Sequence, residues 1–503
     1  MTAPGTPSLT GRITQAPAAL LHDEVLEPQF AYDVAHLLPF YLHTEKALLL
    51  EYTRLGVLTE QQAHDIATAL DGLTATSLTA DPRTNFSDLS FAIEVSVGRR
   101  LSAPVPAWRV DRSRNDFQAC AQLQLGRAQT VETAAELLTC ASAVHDLAVR
   151  HLDDPMPGYT HLQPAQVITP AFFLTALCDH LLHTAERLLA WYDGTESSPL
   201  GAGAMAGQQL DWDRERLAHL LGFAGPNPHA LTSVASRSWQ LELAAECATF
   251  GIGMSRFFTD LMNWAGGQYA FVELPDEMAA ISSAMPQKKN YPVLERLRGK
   301  SSHTLSWYVD AATTQRGTPF SNTVEVSKEG SAQMTRQLGD LRSMLRIATA
   351  VFRNLRFDTR RLRVACEREY LSAFSLATEL TLADGVPWRE AQVIAGRYVL
   401  DAVESWRPAT EPDPETLHRI ASEHGHRAGN SAAGLGSLLS ADGELERRGG
   451  AGSAAPSASA DLLAKQFDRI SALTADWQRR QEAPEAAARL VDRLLGLTGG
   501  EDR

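Results

Sequence analysis

Along residues 334–352 the apolar side chains Met334, Leu338, Leu341, Leu345, Ala348 and Phe352 recur at steps of four and three. A stripe that repeats about every 3.5 residues is buried most readily against other helices, crossing at about 20° in a left-handed bundle. Two more stretches keep that rhythm: Val131, Ala134, Leu138, Ala141, Val144, and Phe173, Leu177, Leu181, Thr184, Leu188. No segment sustains period-two alternation, so strands should be few. The pattern predicts an all-α protein. Five long helices form a central bundle domain over 111–356, with smaller helical domains at 1–110 and 357–503.

Local signals punctuate this frame. Residues 1–15 are rich in Pro, Thr and Gly and read as extended. Helical patterning from about Asp33 to Leu73 breaks at Gly56–Thr59, where Thr59 and Gln62 have capping-box spacing. Asp81–Asn85 reads as a loop, 88–100 as a short helix, and Gly385-Val386-Pro387-Trp388 as a turn before another helix. The run 449–460 is low in complexity and predicts a mobile loop, followed by a final pair of helices.

Composition narrows the function. The chain has 503 residues, 44% hydrophobic and 21% charged, as in ordinary globular proteins. Its net charge of −14 and lack of a long basic run argue against a nucleic-acid surface. Five widely spaced cysteines without a CxxC or Cys/His cluster read as reduced thiols of a cytoplasmic protein, with no structural metal. No signal peptide is evident. The most apolar run, 171–191, carries Asp179, His180, His183, Glu186 and Arg187, which suit a core helix and not a membrane span.

Three segments could carry chemistry. Arg109–Asp116 offers the guanidiniums of Arg112 and Arg114, with Ser113 and Asn115 between them, as carboxylate donors; a polar helix cap built on Asp116 is the competing reading. Gly158–Gln163 holds Thr160, Gln163 and His161, which titrates near neutrality; such a histidine is also often merely a satisfied polar group. Ile281–Asn290 packs Ser282, Ser283, Lys288 and Asn290 into a loop before a helix N-terminus, where amides favour anions. Glu295, five residues on, could orient an imidazole. A surface loop is the alternative there. The chain has only six lysines against forty arginines (46 less 6), so lysine at 288 and 328 suggests a need for a compact charge.

The trio Arg112–Asp116, Gly158–Gln163 and Ser282–Asn290, in that order, resembles the signature regions of the argininosuccinate lyase family in the fumarase/aspartase superfamily. The likeness extends from Gly11-Arg12 through Pro199–Gly207 to Gly385–Ala391. It implies a three-domain helical subunit and a homotetramer with a twenty-helix core, its active sites shared between chains. It also implies cofactor-independent β-elimination of fumarate from an N-substituted aspartate, a small dicarboxylate amino acid. In that reading Ser282 is the base, Lys288 stabilises charge, and His161 paired with Glu295 assists at the leaving amine.

Departures from the family cluster. Arg109-Val110-Asp111 stands where His-Thr-Gly is usual, and Ser90–Glu94 where His-Thr-Ala-Asn-Glu is usual. Ser238–Glu242 aligns with Ser-Asp-Arg-Asp-Phe. Ile281 and Tyr291 replace a glycine and a proline. On the leaving-group side, Phe320 and Glu325 align with a tyrosine and a glutamine, and Gln29 with a serine, while Asp33 and Lys328 remain. These changes point to a C–N lyase with a different or more cationic amine. Genuine argininosuccinate lyase and a non-catalytic, crystallin-like scaffold are the alternatives.

Overall fold

The computed structural model describes residues 12, 13 and 15–497. Gly11 and most of the segment expected to be extended therefore lie outside the described residues.

Helices dominate. Before the bundle come α1 (Glu27–His36), α2 (Leu38–Arg54) and α3 (Leu89–Gly98). The bundle consists of α4 (Arg114–Val149), α5 (Pro170–Gly194), α6 (Ser238–Ala265), α7 (Pro292–Gln315) and α8 (Met334–Asn354). All six residues of the α8 stripe are buried, as a heptad seam demands. Helices α6 and α7 lie against each other along their length. Gly251 permits that contact, because a Cβ there would lie 2.5 Å from the Ser301 carbonyl oxygen. Thr59 and Gln62 do form the reciprocal capping box, and α5 starts on Thr169, whose hydroxyl accepts from Phe172 N–H at 3.0 Å.

Strands among the described residues are confined to four two-stranded ladders. The longest is a hairpin of β1 (Met156–Thr160) and β2 (Gln163–Ile168). A second, minimal one pairs β3 (Ala280–Ile281) with β4 (Lys289–Asn290). Neither alternates in hydrophobicity: β1–β2 is buried only at its base, at Met156, Pro157 and Val167, and β3–β4 at no residue, so the period-two signal is missing.

The C-terminal segment departs from the expected loop and helix pair. Pro456 opens one 39-residue helix, α9 (Pro456–Leu494). Pro fits the first helical turn, whose N–H groups have no helical partner, and the Ala/Ser run behind it is small enough to pack. Pro484 inside α9 removes a donor, and the Arg480 carbonyl accepts from the Tyr192 hydroxyl at 3.0 Å instead. Leu463, Leu473, Trp477 and Val491 of α9 join the core of the central bundle. A separate core, from Tyr370 to Leu439, holds together the short helices between α8 and α9. All five cysteines are buried free thiols, and burial pushes each to about 12. No helix of the described residues is long and apolar enough to cross a membrane.

The seam carries much of the stability. Leu345→Ala, at a fully buried position, should lower the unfolding free energy by about 2–5 kcal/mol in urea titrations while leaving the slope unchanged.

Candidate active site

The start of α4 is mostly architecture. Both terminal nitrogens of Arg112 reach the buried carboxylate of Glu45 at 2.8 Å, and its guanidinium lies 5.1 Å from the Phe117 ring centre. The fork expected to bind substrate is thus committed within the chain. Ser113 caps α4 by accepting from Asn115 N–H at 3.1 Å, and Asn115 donates to the Ala204 carbonyl at 3.1 Å. Asp116 accepts from the N–H groups of Gly201 and Gly203 at 2.9 and 3.0 Å. Both glycines have positive φ, 81° and 62°. Burial pushes the Asp116 carboxyl up to about 6. Arg114 differs: its half-exposed side chain holds Asp88 at 2.8 Å and remains open to a ligand.

Two departing segments meet here. Arg109 donates to the Ser90 carbonyl at 2.8 Å and to the Ser90 hydroxyl, and lies 3.3 Å from Glu94. Asp111 accepts from the N–H groups of Gln209 and Leu210 and from the Trp212 ring. The replacements therefore support each other. The Ser-Asp-Arg-Asp-Phe motif also needs a new register: at 235–239, Arg237 takes the place of its arginine and Trp239 that of its phenylalanine.

In the β1–β2 hairpin, Thr160 pairs with Gln163. His161 and Leu162 between them have φ of 51° and 63°, as a two-residue turn requires at both positions. Thr160, His161 and Gln163 are exposed at its tip. Beside it opens a cavity of about 900 Å³ lined in part by Gln163, Arg360, Arg361 and Arg368. No motif marks those arginines, so the sequence did not single them out.

Pairing of β3 with β4 closes residues 282–288 into a loop just ahead of α7. Ile281 is 92% exposed. The Ser282 hydroxyl oxygen accepts from Met285 N–H at 3.1 Å. Lys289 is neutralised by Glu273 at 3.0 Å and Asp276 at 2.9 Å, whereas the Lys288 ammonium makes no ion pair or hydrogen bond among the described residues. Ser283 is exposed, and Asn290 donates to the Ala280 carbonyl at 3.4 Å. Glu295 is exposed in the first turn of α7.

Near the start of α4, Lys328 and Gln29 both reach Asp33, at 3.0 and 2.7 Å. Burial raises the Asp33 carboxyl above its ordinary value, against the pull of Lys328. Phe320 is 62% exposed, and Glu325 is exposed. The N–H of Glu325 and the Thr323 hydroxyl hold that carboxyl below its usual range.

The 36 residues of α4 span about 54 Å, so Arg114 and the His161 hairpin stand at opposite ends of one chain. Among the described residues, no hydrogen bond or ion pair joins His161 to Glu295, or either to Ser282. The only grouping with metal-ligand spacing among those residues is His22, Asp23 and Glu27, whose two carboxylates are exposed.

The match of residues 43–305 to the family described as Lyase, on this helical framework, defines a member of the fumarase/aspartase superfamily. The chain is 30% identical to argininosuccinate lyase of Methanothrix thermoacetophila over 485 residues, which cover 94% of each chain. It is 30% identical to that of Legionella pneumophila over 403 residues, 79% of this chain and 94% of the relative. It belongs to the argininosuccinate lyase family, as a divergent member. Structures of EDDS lyase, a variant with bound fumarate and a formate complex, superpose with a TM-score of 0.84. They are 26% and 25% identical and cover 97% of both chains. Class II fumarase of Schistosoma mansoni, 14% identical with a TM-score of 0.66 over 82% of this chain and 90% of its own, shares the fold.

Removing Arg112 takes both hydrogen-bonded donors from the buried Glu45 carboxylate and leaves it Arg109 at 3.8 Å, so Arg112→Met should cost up to about 3–5 kcal/mol in urea unfolding. Arg114→Met breaks a half-exposed pair and should cost at most about 1 kcal/mol. Asp116 keeps its proton when folded until about pH 6, whereas unfolded it releases it from 3.8. Its contribution to stability should therefore fall as pH rises through that window, and Asp116→Asn should flatten that slope in melts across the range.

Proposed function

We propose that this protein is a carbon–nitrogen lyase releasing fumarate from an N-substituted aspartate by β-elimination. The observation that carries this reading is the contrast between the two adjacent lysines beside Ser282. Lys289 is paired with two carboxylates. Lys288 keeps its charge for a ligand.

Taking a proton from the carbon beside a carboxylate builds a second negative charge on that carboxylate. Preorganised donors in a site closed to water are the strongest way to stabilise it. Lys288, Asn290 and the amides opening α7 are suited to this, with Ser283 and Thr160 as further hydroxyl donors. Ser282 is the base: its alkoxide is favoured by the Met285 amide, which donates to that oxygen at 3.1 Å, and by the Lys288 ammonium carried on the same loop. Arg114, Asn115 and Gln163 bind the substrate carboxylates. Arg112 and Ser113 act through the fold, holding Arg114 at the helix start. His161, oriented by Glu295, exchanges a proton with the departing amine.

These groups meet only if several chains contribute. A homotetramer built on the central helices does this, and exposed Ile252, Leu305 and Val309 of α6 and α7 offer apolar surface for it. The leaving amine lies against Phe320, Glu325, Lys328 and Asp33. Phe320 supplies no hydroxyl donor, and Glu325 is an extra anion, so the preferred amine is more cationic than the guanidino side chain of argininosuccinate. A purely structural role has less support, because the departures at 90 and 109 compensate each other and leave Ser282, Lys288 and His161 in place.

Ser282→Ala should abolish fumarate formation, followed by ultraviolet absorbance, with the oligomer unchanged in sedimentation. Lys288→Met should lower kcat by about 10²–10³-fold, and Lys289→Met far less. Equal effects at 288 and 289, or activity in the Ser282 variant, would refute the assignment. Across a panel of N-substituted aspartates, kcat/KM should be highest for polyamine-type amines; a clear preference for argininosuccinate would return the chain to the family's usual substrate.

A further inference from the structure

Apart from the lyase residues, α2, α4, α5 and α9 enclose a cavity of about 510 Å³, within the range of small-molecule sites. No group of the proposed lyase site lines it, and Arg127 in its wall stands about 20 Å along α4 from Arg114. Its walls are mostly apolar: Phe40 of α2, Val131 of α4, Leu221 and Phe223 of a connecting loop, and Pro484 and Ala488 of α9. Gly222 lets that loop touch α9, since a Cβ there would lie 2.9 Å from the Pro484 Cα.

One side of the cavity is cationic. Arg127 is 5% exposed, and its guanidinium carbon lies 3.8 Å from the centre of the Tyr192 ring. Tyr192 is itself fixed, because its hydroxyl donates to the Arg480 carbonyl at 3.0 Å. Nη1 of Arg127 donates to the Tyr192 carbonyl at 3.1 Å and to the Thr195 hydroxyl at 3.4 Å. Nη2 has Glu196 at 3.8 Å, beyond hydrogen-bonding length. The Nε–Nη2 edge therefore keeps the parallel pair of donors that a carboxylate accepts. The other charges on the wall already have partners. Arg480 holds Asp193 at 2.9 Å, Glu132 lies 3.3 Å from Arg342, and Glu485 lies 3.6 Å from Arg489. Burial lowers the His43 pKa, so its ring is neutral at pH 7. One buried cation with donors to spare thus borders an otherwise apolar space.

We propose that this cavity binds a small organic monoanion, a carboxylate carried on an aromatic or branched apolar body. The carboxylate takes the Nε–Nη2 edge of Arg127, and the body lies among Phe40, Val131, Phe223 and Ala488. A dicarboxylate such as fumarate fits poorly, because its second charge would lie against apolar walls without a partner. The site is separate from the lyase residues, and its status does not depend on the proposed reaction. Because its walls come from α2, α4 and α9, an occupant ties the C-terminal half of α9 to the rest of the chain.

The probes are 1-naphthaleneacetate and 1-naphthaleneacetamide, which share a body and differ in charge. Titrated calorimetrically into the full-length protein, the acid should bind saturably and at least about tenfold more tightly than the amide. Excess fumarate should not displace it, which separates this cavity from the lyase site. Ala488→Trp fills the cavity from α9 and should abolish binding while the melting temperature is kept. Arg127→Lys keeps the charge but loses the fork; it should weaken the acid about tenfold and leave the amide unchanged. Hydrogen exchange over 481–491 should slow when the acid is bound. Equal affinity for acid and amide, displacement by fumarate, binding that survives Ala488→Trp, or no binding of the acid would each overturn the proposal.

Discussion

The length of α4 governs what this chain can do alone. Its first residue, Arg114, and the hairpin that follows its last turn are separated by about 54 Å of rigid helix. A reaction that needs a guanidinium from one end and an imidazole from the other cannot run within a single subunit. Under the proposed tetramer, the exposed tips at 160–163 and 282–288, the bare Ile281 and the uncovered apolar residues of α6 and α7 are the surfaces that neighbouring copies meet.

Rigidity at the two ends is achieved differently. At the start of α4, polar groups are paired within the chain: Arg112 on the buried Glu45, the buried Asp116 on two glycine amides, Asp111 on the segment 209–212. Removing one partner from such a network costs far more than the network adds over an apolar core, so it fixes position more than it stabilises. At the other end, a two-residue turn with both φ positive holds His161 outward. Backbone of that kind is costly for residues other than glycine and persists only where surrounding pairing enforces it.

Much of this was legible in the sequence. The 4-3-4-3-4 spacing from Met334 to Phe352 announced a buried helical seam, and Thr59 with Gln62 announced a cap, because both signals are local and periodic. The Ser282–Asn290 motif pointed to the loop where the Ser282 hydroxyl accepts from an amide and the Lys288 ammonium has no partner among the described residues. Three features were not legible. Arg112 looked like a ligand donor because its partner, Glu45, lies 67 residues away. The Ala/Ser-rich run at 449–460 looked mobile because composition alone does not show that Pro456 starts a helix docked on α4 and α5. Arg237 went unnoticed because its motif was set three residues out of register.

The division of one site among several chains is tested most directly by complementation. Arg114→Ala and Ser282→Ala each remove one end of the proposed site and should be inactive as homo-oligomers. Unfolded together and refolded as a one-to-one mixture, they should regain activity in about a quarter of the sites, one half times one half, since some sites then draw both intact residues from different subunits. Activity of the mixture that stays at the level of the two parents, with the mixed oligomer shown to form, would contradict the account.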